Sequence, residues 1–338
     1  MYNKIFKKKP FFIAEISANH NGSLKLAKKL IFTAKQNGAD AVKLQTYSPD
    51  TITLNSKRAE FKIKEGLWKG YYLWNLYKKA QTPFSWHKEL FNFAKKNKII
   101  CFSSPFDETA VDLLEKLNCP IYKLASFEIT HTPLIKKIAS TGKPLIISTG
   151  MASLKEVETA VKCAKKFGTK KIIILYCVSN YPSKIKDFNF KNIHILKKKF
   201  NCQIGFSDHS TNILVPATAV ASGAEVIEKH IALRGQKKAP DIAFSAKGKE
   251  IREYSDTLKK VYSMLGVNKS YNVKTDKKNL IFRRSIYCVK KIKKGELFTK
   301  QNIKVVRPNK GLDPKWFFKI LNKKSKYNYK KNTPIQRF

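Results

Sequence analysis

The chain has 338 residues, with 68 Lys and Arg against 24 Asp and Glu for a formal charge of +44, and 43% of its residues are hydrophobic and 12% aromatic. That apolar share is ample for a core, while no apolar run approaches the ~18 residues of a membrane span, which excludes a chain built on membrane-crossing helices. Lys is spread along the whole chain as "KKL", "KKN" and "KKF" rather than gathered into one stripe, so it reads as solvated helix faces that speed the capture of small anions, and neither nucleic acid nor a membrane is expected as a partner.

The start, "MYNKIFKKKPFFIAEIS", has basic residues before an apolar patch of about seven residues with no small-residue cleavage site, so no signal peptide is expected. Eight short apolar runs then recur in order. They are residues 11–17, 41–46, 99–105 and 121–126, followed by 144–150, 171–177, 202–208 and 224–230. Helical spacing fills the gaps between them, as in "SLKLAKKLIFTAKQNGAD", which opens at N-cap Ser23 and closes at Gly38. Strand and helix alternating eight times predict a (β/α)8 barrel, and no G-x-G-x-x-G follows the first strand to favour a dinucleotide fold. Beyond about residue 266 the pattern stops. We expect a barrel over 1–268, a polar linker over 269–281 and a small all-β domain over 282–338. Six Cys without a C-x-x-C pair are read as reduced thiols, and the compartment as the cytoplasm.

In a barrel the site lies at the C-terminal ends of the strands. Taken in order, those ends carry Glu15, Ser17, Asn19 and His20; Lys43 and Gln45; Ser104; Lys123 and Ser126; Ser148 and Thr149; Ser179 and Tyr181; Ser207, Asp208 and His209; Glu228 and His230. Two Lys inside apolar strands are costly unless an anion pairs with them, and two Lys in a ring of hydroxyls suit a phosphate with a neighbouring carboxylate. His209 and His230 close adjacent strands and, with Glu228 and Asp208 nearby, are read as ligands of one divalent ion, for which Mn²⁺, Zn²⁺ and Fe²⁺ all suit. Glu15 reads either as a catalytic carboxylate or as a buried partner of Lys43.

The stretches "FFIAEISANHNGSLKLAKKL", "GADAVKLQTYSPDTITL", "FSSPFD", "YKLASFEI", "LIISTGMA", "GFSDHS" and "VIEKHI" resemble the sialic-acid synthase family in order and spacing. The C-terminal "FRRSIYCVKKIKKGELFTKQNIKVVRPNKGLDP" resembles that family's antifreeze-like (SAF) domain. The resemblance implies a transferase that condenses phosphoenolpyruvate with an open-chain acetamido-sugar aldehyde to a nine-carbon 2-keto acid and phosphate. It assigns phosphoenolpyruvate to Lys43, Ser104, Lys123, Ser126, Ser148, Ser179 and Ser207, and a divalent metal to His209 and His230, with Mn²⁺ first and Mg²⁺, Co²⁺ or others open. Glu15 and Asp241 would meet the sugar's hydroxyls, with Glu15 also a proton-transfer group, Tyr181 would form a wall, and Arg307 would meet the acetamido group. The family arrangement further implies a domain-swapped homodimer. The segment "LWKGYYLWNLYKKAQTPFSWHKELF" resembles the branch whose acceptor is 2,4-diacetamido-2,4,6-trideoxy-altrose, ahead of the N-acetylneuraminate and legionaminate branches. Two departures stand out: Ser104 occupies a position that is often Thr, and Ser179 one that is Asn in the sialic branch. A Schiff-base aldolase acting through Lys123 is the more distant alternative.

Overall fold

The computed structural model describes residues 9–266 and 274–338, so the basic start and residues 269–273 of the expected linker lie outside the described residues. The chain divides into two compact units, Met1–Gly266 and Val267–Phe338.

In the first unit the eight apolar runs become eight parallel strands: β1 (Phe11–Glu15), β2 (Ala41–Thr46), β3 (Ile100–Pro105), β4 (Tyr122–Leu124), β5 (Leu145–Ser148), β6 (Ile172–Cys177), β7 (Gln203–Asp208) and β8 (Val226–Ala232). β1 pairs with β2 on one side and β8 on the other, which closes the barrel. β1, β4 and β5 stop short of the ends of their runs because the polar residues there fall outside the strand. β4, for example, stops at Leu124, and Ser126 sits in a 3-10 turn, Ser126–Glu128.

Around the barrel lie α1 (Leu24–Gln36), α2 (Pro49–Ile52), α3 (Leu73–Ala80), α4 (Phe84–Lys96), α5 (Glu108–Lys116), α6 (Thr132–Ser140), α7 (Leu154–Lys166), α8 (Lys191–Phe200), α9 (Leu214–Ala221) and α10 (Glu250–Met264). Their local chemistry is legible. Ser23 accepts from the Leu26 N–H to cap α1, whose Ala27, Leu30, Ile31 and Ala34 form one buried stripe. Ser153 and Glu156 cap α7 reciprocally.

The alternation has two interruptions. Between β2 and β3 the chain inserts α2 and α3 before the outer helix α4, and after β8 it adds a short parallel strand, β9 (Ala246–Lys247). Among the described residues no helix is long and apolar enough to cross a membrane.

The second unit pairs β10 (Ser285–Cys288) antiparallel with β11 (Ile303–Val306) over a small core of Ile286, Cys288, Ile292, Phe298, Ile303, Ile320 and Ile335. The described part of the expected linker, from Lys274, is wound in 3-10 turns through Phe282, and within the unit a 3-10 turn, Pro314–Trp316, leads into a one-turn helix, Phe317–Ile320.

Candidate active site

Side chains alternate between the two faces of a strand, and the register sets which residues meet. Glu15 of β1 lies level with Lys43 of β2 and His230 of β8, and Ser207 of β7 lies level with Glu228 of β8. These groups meet at the C-terminal end of the barrel around a cavity of about 490 Å³, whose lining includes Lys43, Lys123, Ser126, Ser148, Tyr181, Ser207, His209, His230 and Asp241.

Beneath it lies an ion network. Lys43 Nζ stands 2.7 Å from Glu15 Oε2 and 3.1 Å from Glu228 Oε2, and Ser207 Oγ donates to Glu228 Oε1 at 2.9 Å. One cation cannot fully compensate two buried carboxylates. Glu228, despite burial, is held down to about 2 by Lys123 and Lys43, while burial lifts Glu15 to about 7, with Lys43 opposing the rise and the like charge of Glu228 adding to it. Lys43 stays charged: its burial is outweighed by the two carboxylates. Lys123 differs. It is 2% exposed, its Nζ donates to the Leu124 carbonyl at 3.2 Å, and among the described residues it makes no ion pair. Burial therefore pushes its ammonium below the usual lysine range, so a bound anion would gain most there.

The imidazoles of His209 and His230 converge, with ring centroids 5.5 Å apart. His209 Nδ1 lies 3.0 Å from the Val178 carbonyl, which can only accept, so Nδ1 carries the proton and Nε2 keeps a lone pair. Burial pushes His209 down to about 4 and His230 well below its usual value, so both rings are neutral near pH 7. His230 Nδ1 is buried without a hydrogen-bond partner and stands 3.6 Å from Asp241 Oδ2. Neutral imidazoles with a free lone pair suit a divalent ion. Among the described residues no cluster of three or more His, Cys, Asp or Glu is poised for a metal, so a pair of imidazoles would leave coordination positions to water and substrate.

Asp208 corrects an expectation. The sequence places it beside the histidine pair, but alternation turns it to the outer face of β7, where it takes Lys229 at 3.2 Å, Tyr254 Oη at 2.9 Å and the Ser210 N–H at 2.8 Å. Lys229 is thus a third buried strand lysine, with a structural partner.

Asp241 follows β8 and accepts from Ser17 Oγ. Ser17 also donates its N–H to Glu15 Oε1 at 2.7 Å and holds φ +44, a costly region for a non-glycine residue that these two contacts maintain. Ser126 and Ser179 approach to 3.3 Å over Gly150. A Cβ at Gly150 would stand 2.4 Å from Ser126 Cβ and 2.7 Å from Ser179 Oγ, and its φ of +50 also favours glycine. Ser104 is buried inside the barrel, its Oγ without a partner, and lies outside the cavity lining, as do Glu15 and Ser179. Arg307 belongs to the second unit and is exposed directly after β11.

Sequence reasoning missed Glu128 and the apolar wall. Glu128 lies on the same turn as Ser126 and lines the cavity; burial lifts it to about 7, with Lys123 pulling the other way. The sign is set by the raised value: the unfolded chain loses this proton from about pH 4.5 and the folded chain only near 7, so folding stability falls as pH rises through that window. Glu128→Gln, which mimics the protonated form, should match the wild type at pH 4 and be more stable by up to about 3 kcal/mol at pH 8. Urea unfolding at the two pH values checks this, and an equal difference at both would show that Glu128 titrates normally. The wall, from the β2–β3 insertion, includes Ile52, Ile63, Trp68, Leu73, Leu76 and Tyr77. Trp68 and Tyr77 fall inside the segment "LWKGYYLWNLYKKAQTPFSWHKELF", but no spacing rule assigns an insertion to a barrel mouth.

Comparison with known proteins adds to this geometry. Residues 30–270 match the model of the NeuB family, and residues 283–337 match the SAF domain. The chain is 44% identical to the pseudaminic acid synthase of Campylobacter jejuni subsp. jejuni serotype O:2, over 96% of this chain and 94% of that protein. To the N,N'-diacetyllegionaminic acid synthase of the same organism it is 38% identical, over 97% of this chain and 99% of that protein. The crystal structure of N-acetylneuraminic acid synthetase from Leptospira borgpetersenii serovar Hardjo-bovis in complex with citrate superposes with a TM-score of 0.73 at 33% identity, covering 81% of this chain and 90% of that one.

Proposed function

This chain belongs to the NeuB family, and from that premise we propose that it is a pseudaminic acid synthase, condensing phosphoenolpyruvate with 2,4-diacetamido-2,4,6-trideoxy-altrose and water to give pseudaminic acid and phosphate. The observation that carries the reading is one cavity holding both an underpaired buried lysine among hydroxyls and a pair of neutral imidazoles. An anionic donor and a carbonyl acceptor would thus lie side by side.

In the proposed reaction Lys43 and Lys123, with the hydroxyls of Ser126, Ser148 and Ser207, hold the phosphate and carboxylate of phosphoenolpyruvate. Its C3 attacks the aldehyde carbon of the acceptor, and the charge left at C2 is offset by the carboxylates beneath, Glu228 above all. Water adds at C2, and the C–O bond to phosphate then breaks, so that the bridging oxygen leaves with the phosphate. Glu15, which stands 2.7 Å from Lys43 Nζ, would hold that ammonium charged and in place against the donor. Asp241 and Tyr181 would orient the sugar. His209 and His230 would hold the divalent metal, Mn²⁺ first, which when bound supplies polarisation of the aldehyde oxygen and a site for water.

Supplying phosphoenolpyruvate with the altrose derivative, the legionaminate precursor and N-acetylmannosamine in parallel tests the acceptor. The altrose derivative should turn over fastest, and a faster rate with either of the others would reassign the branch.

We propose further that the protein works as a homodimer in which each second unit lends Arg307 to the acceptor site of its partner. Arg307→Ala and His230→Ala homodimers should both be nearly inactive. Co-expression gives about half heterodimers by random pairing, each with one intact site, so roughly a quarter of wild-type activity should return. No recovery with confirmed heterodimers would reject the exchange.

A further inference from the structure

The cavity has two unlike walls. The barrel side carries the charged groups and most hydroxyls, from Lys43 round to Asp241, whereas the β2–β3 insertion contributes Ile52, Ile63, Leu73 and Leu76 with the rings of Trp68 and Tyr77. The one polar group of Trp68 is already engaged, its Nε1–H donating to the Pro240 carbonyl at 3.1 Å, so it offers the cavity only ring surface. Trp68 packs on Tyr181 with centroids 5.7 Å apart, and Tyr181 on His209 at 4.4 Å, so the apolar wall runs without a break to the imidazole pair. An acceptor whose reactive carbonyl lies at the imidazoles would have this surface beside it in the same cavity. A hydroxyl pressed against the aliphatic and indole part of that surface, away from Tyr77 Oη, would give up its water and find no partner, whereas a methyl group would gain by leaving water.

We infer that this wall, which rests on the acceptor-site reading above, is a specificity subsite for the deoxygenated end of the sugar: it receives the C6 methyl and selects against acceptors with a C6 hydroxyl. An apolar pocket rejects an added hydroxyl only moderately, so the expected discrimination is roughly ten- to a hundredfold in kcat/KM.

The test uses the full-length, metal-loaded protein with phosphoenolpyruvate and two acceptors, 2,4-diacetamido-2,4,6-trideoxy-altrose and its 6-hydroxy counterpart. The wild type should prefer the deoxy sugar by about tenfold or more. Ile63→Ser and Leu73→Ser, both at partly exposed positions, should each cut that ratio at least about fivefold while the KM for phosphoenolpyruvate stays unchanged, because the donor binds the opposite wall. A wild type that uses both acceptors equally keeps the synthase reading and overturns the subsite. Preference retained in both folded variants also overturns it. A wild type that condenses neither acceptor overturns the functional reading and this inference together.

Discussion

His230→Ala should lower turnover by at least about a thousandfold while leaving a cooperatively folded barrel, since a ligand at the barrel mouth serves chemistry rather than the core and metal polarisation is worth several kcal/mol. His209→Ala should do the same. Both rings are neutral, and the Val178 carbonyl fixes the His209 tautomer, so each ring keeps a lone pair, with the two centroids 5.5 Å apart. The measurements are kcat at saturating Mn²⁺, metal content after gel filtration and the urea unfolding curve. Loss of both activity and bound metal in a folded variant is the expected result. A variant that loses activity yet retains the metal would show that the histidines act directly on the substrate, and full activity in excess chelator would remove the metal from the reaction.

The two buried lysines should part company on substitution. Lys123→Met removes an ammonium that has no carboxylate within ion-pair distance among the described residues but helps hold Glu228 ionised, so its cost to the protein without ligand should be small, about 1 kcal/mol or less. Lys43→Met strips the cation from between Glu15 and Glu228 and should cost about 3–5 kcal/mol, since an unpaired charge remains buried. Both variants should lose phosphoenolpyruvate binding. Calorimetric titration with phosphoenolpyruvate beside urea unfolding separates the two effects, and equal stability losses would show that Lys123 is as fully paired as Lys43. Borohydride trapping with pyruvate distinguishes the aldolase alternative: covalent labelling at Lys123 would support a Schiff base, whereas the synthase reading expects none.

Much of this was legible in the sequence, for physical reasons. The strands announce themselves because a barrel stave buried on both faces must be apolar and short, as "KIIILYC" is. The Glu15 and Lys43 pair could be suspected because a lysine inside such a stave needs an anion, and the β1–β2 register places the two level. Asp208 was misplaced for want of that register, since a shift of one residue along a strand moves a side chain from the cavity to the helix layer. The wall from the β2–β3 insertion could not be foreseen, because its aliphatic residues read as ordinary helix core until the chain folds them over the barrel mouth. Glu128 escaped notice because its raised carboxyl depends on burial in a turn that follows no strand period. Arg307 was singled out by resemblance alone; nothing in its own spacing distinguishes it from other exposed arginines.

The most direct measurement is to run the reaction in H₂¹⁸O with phosphoenolpyruvate and 2,4-diacetamido-2,4,6-trideoxy-altrose and to weigh both products. Condensation with C–O cleavage predicts a nine-carbon 2-keto acid equal in amount to the phosphate released, with that phosphate free of ¹⁸O. Labelled phosphate, or phosphate released without the nine-carbon acid, would contradict it.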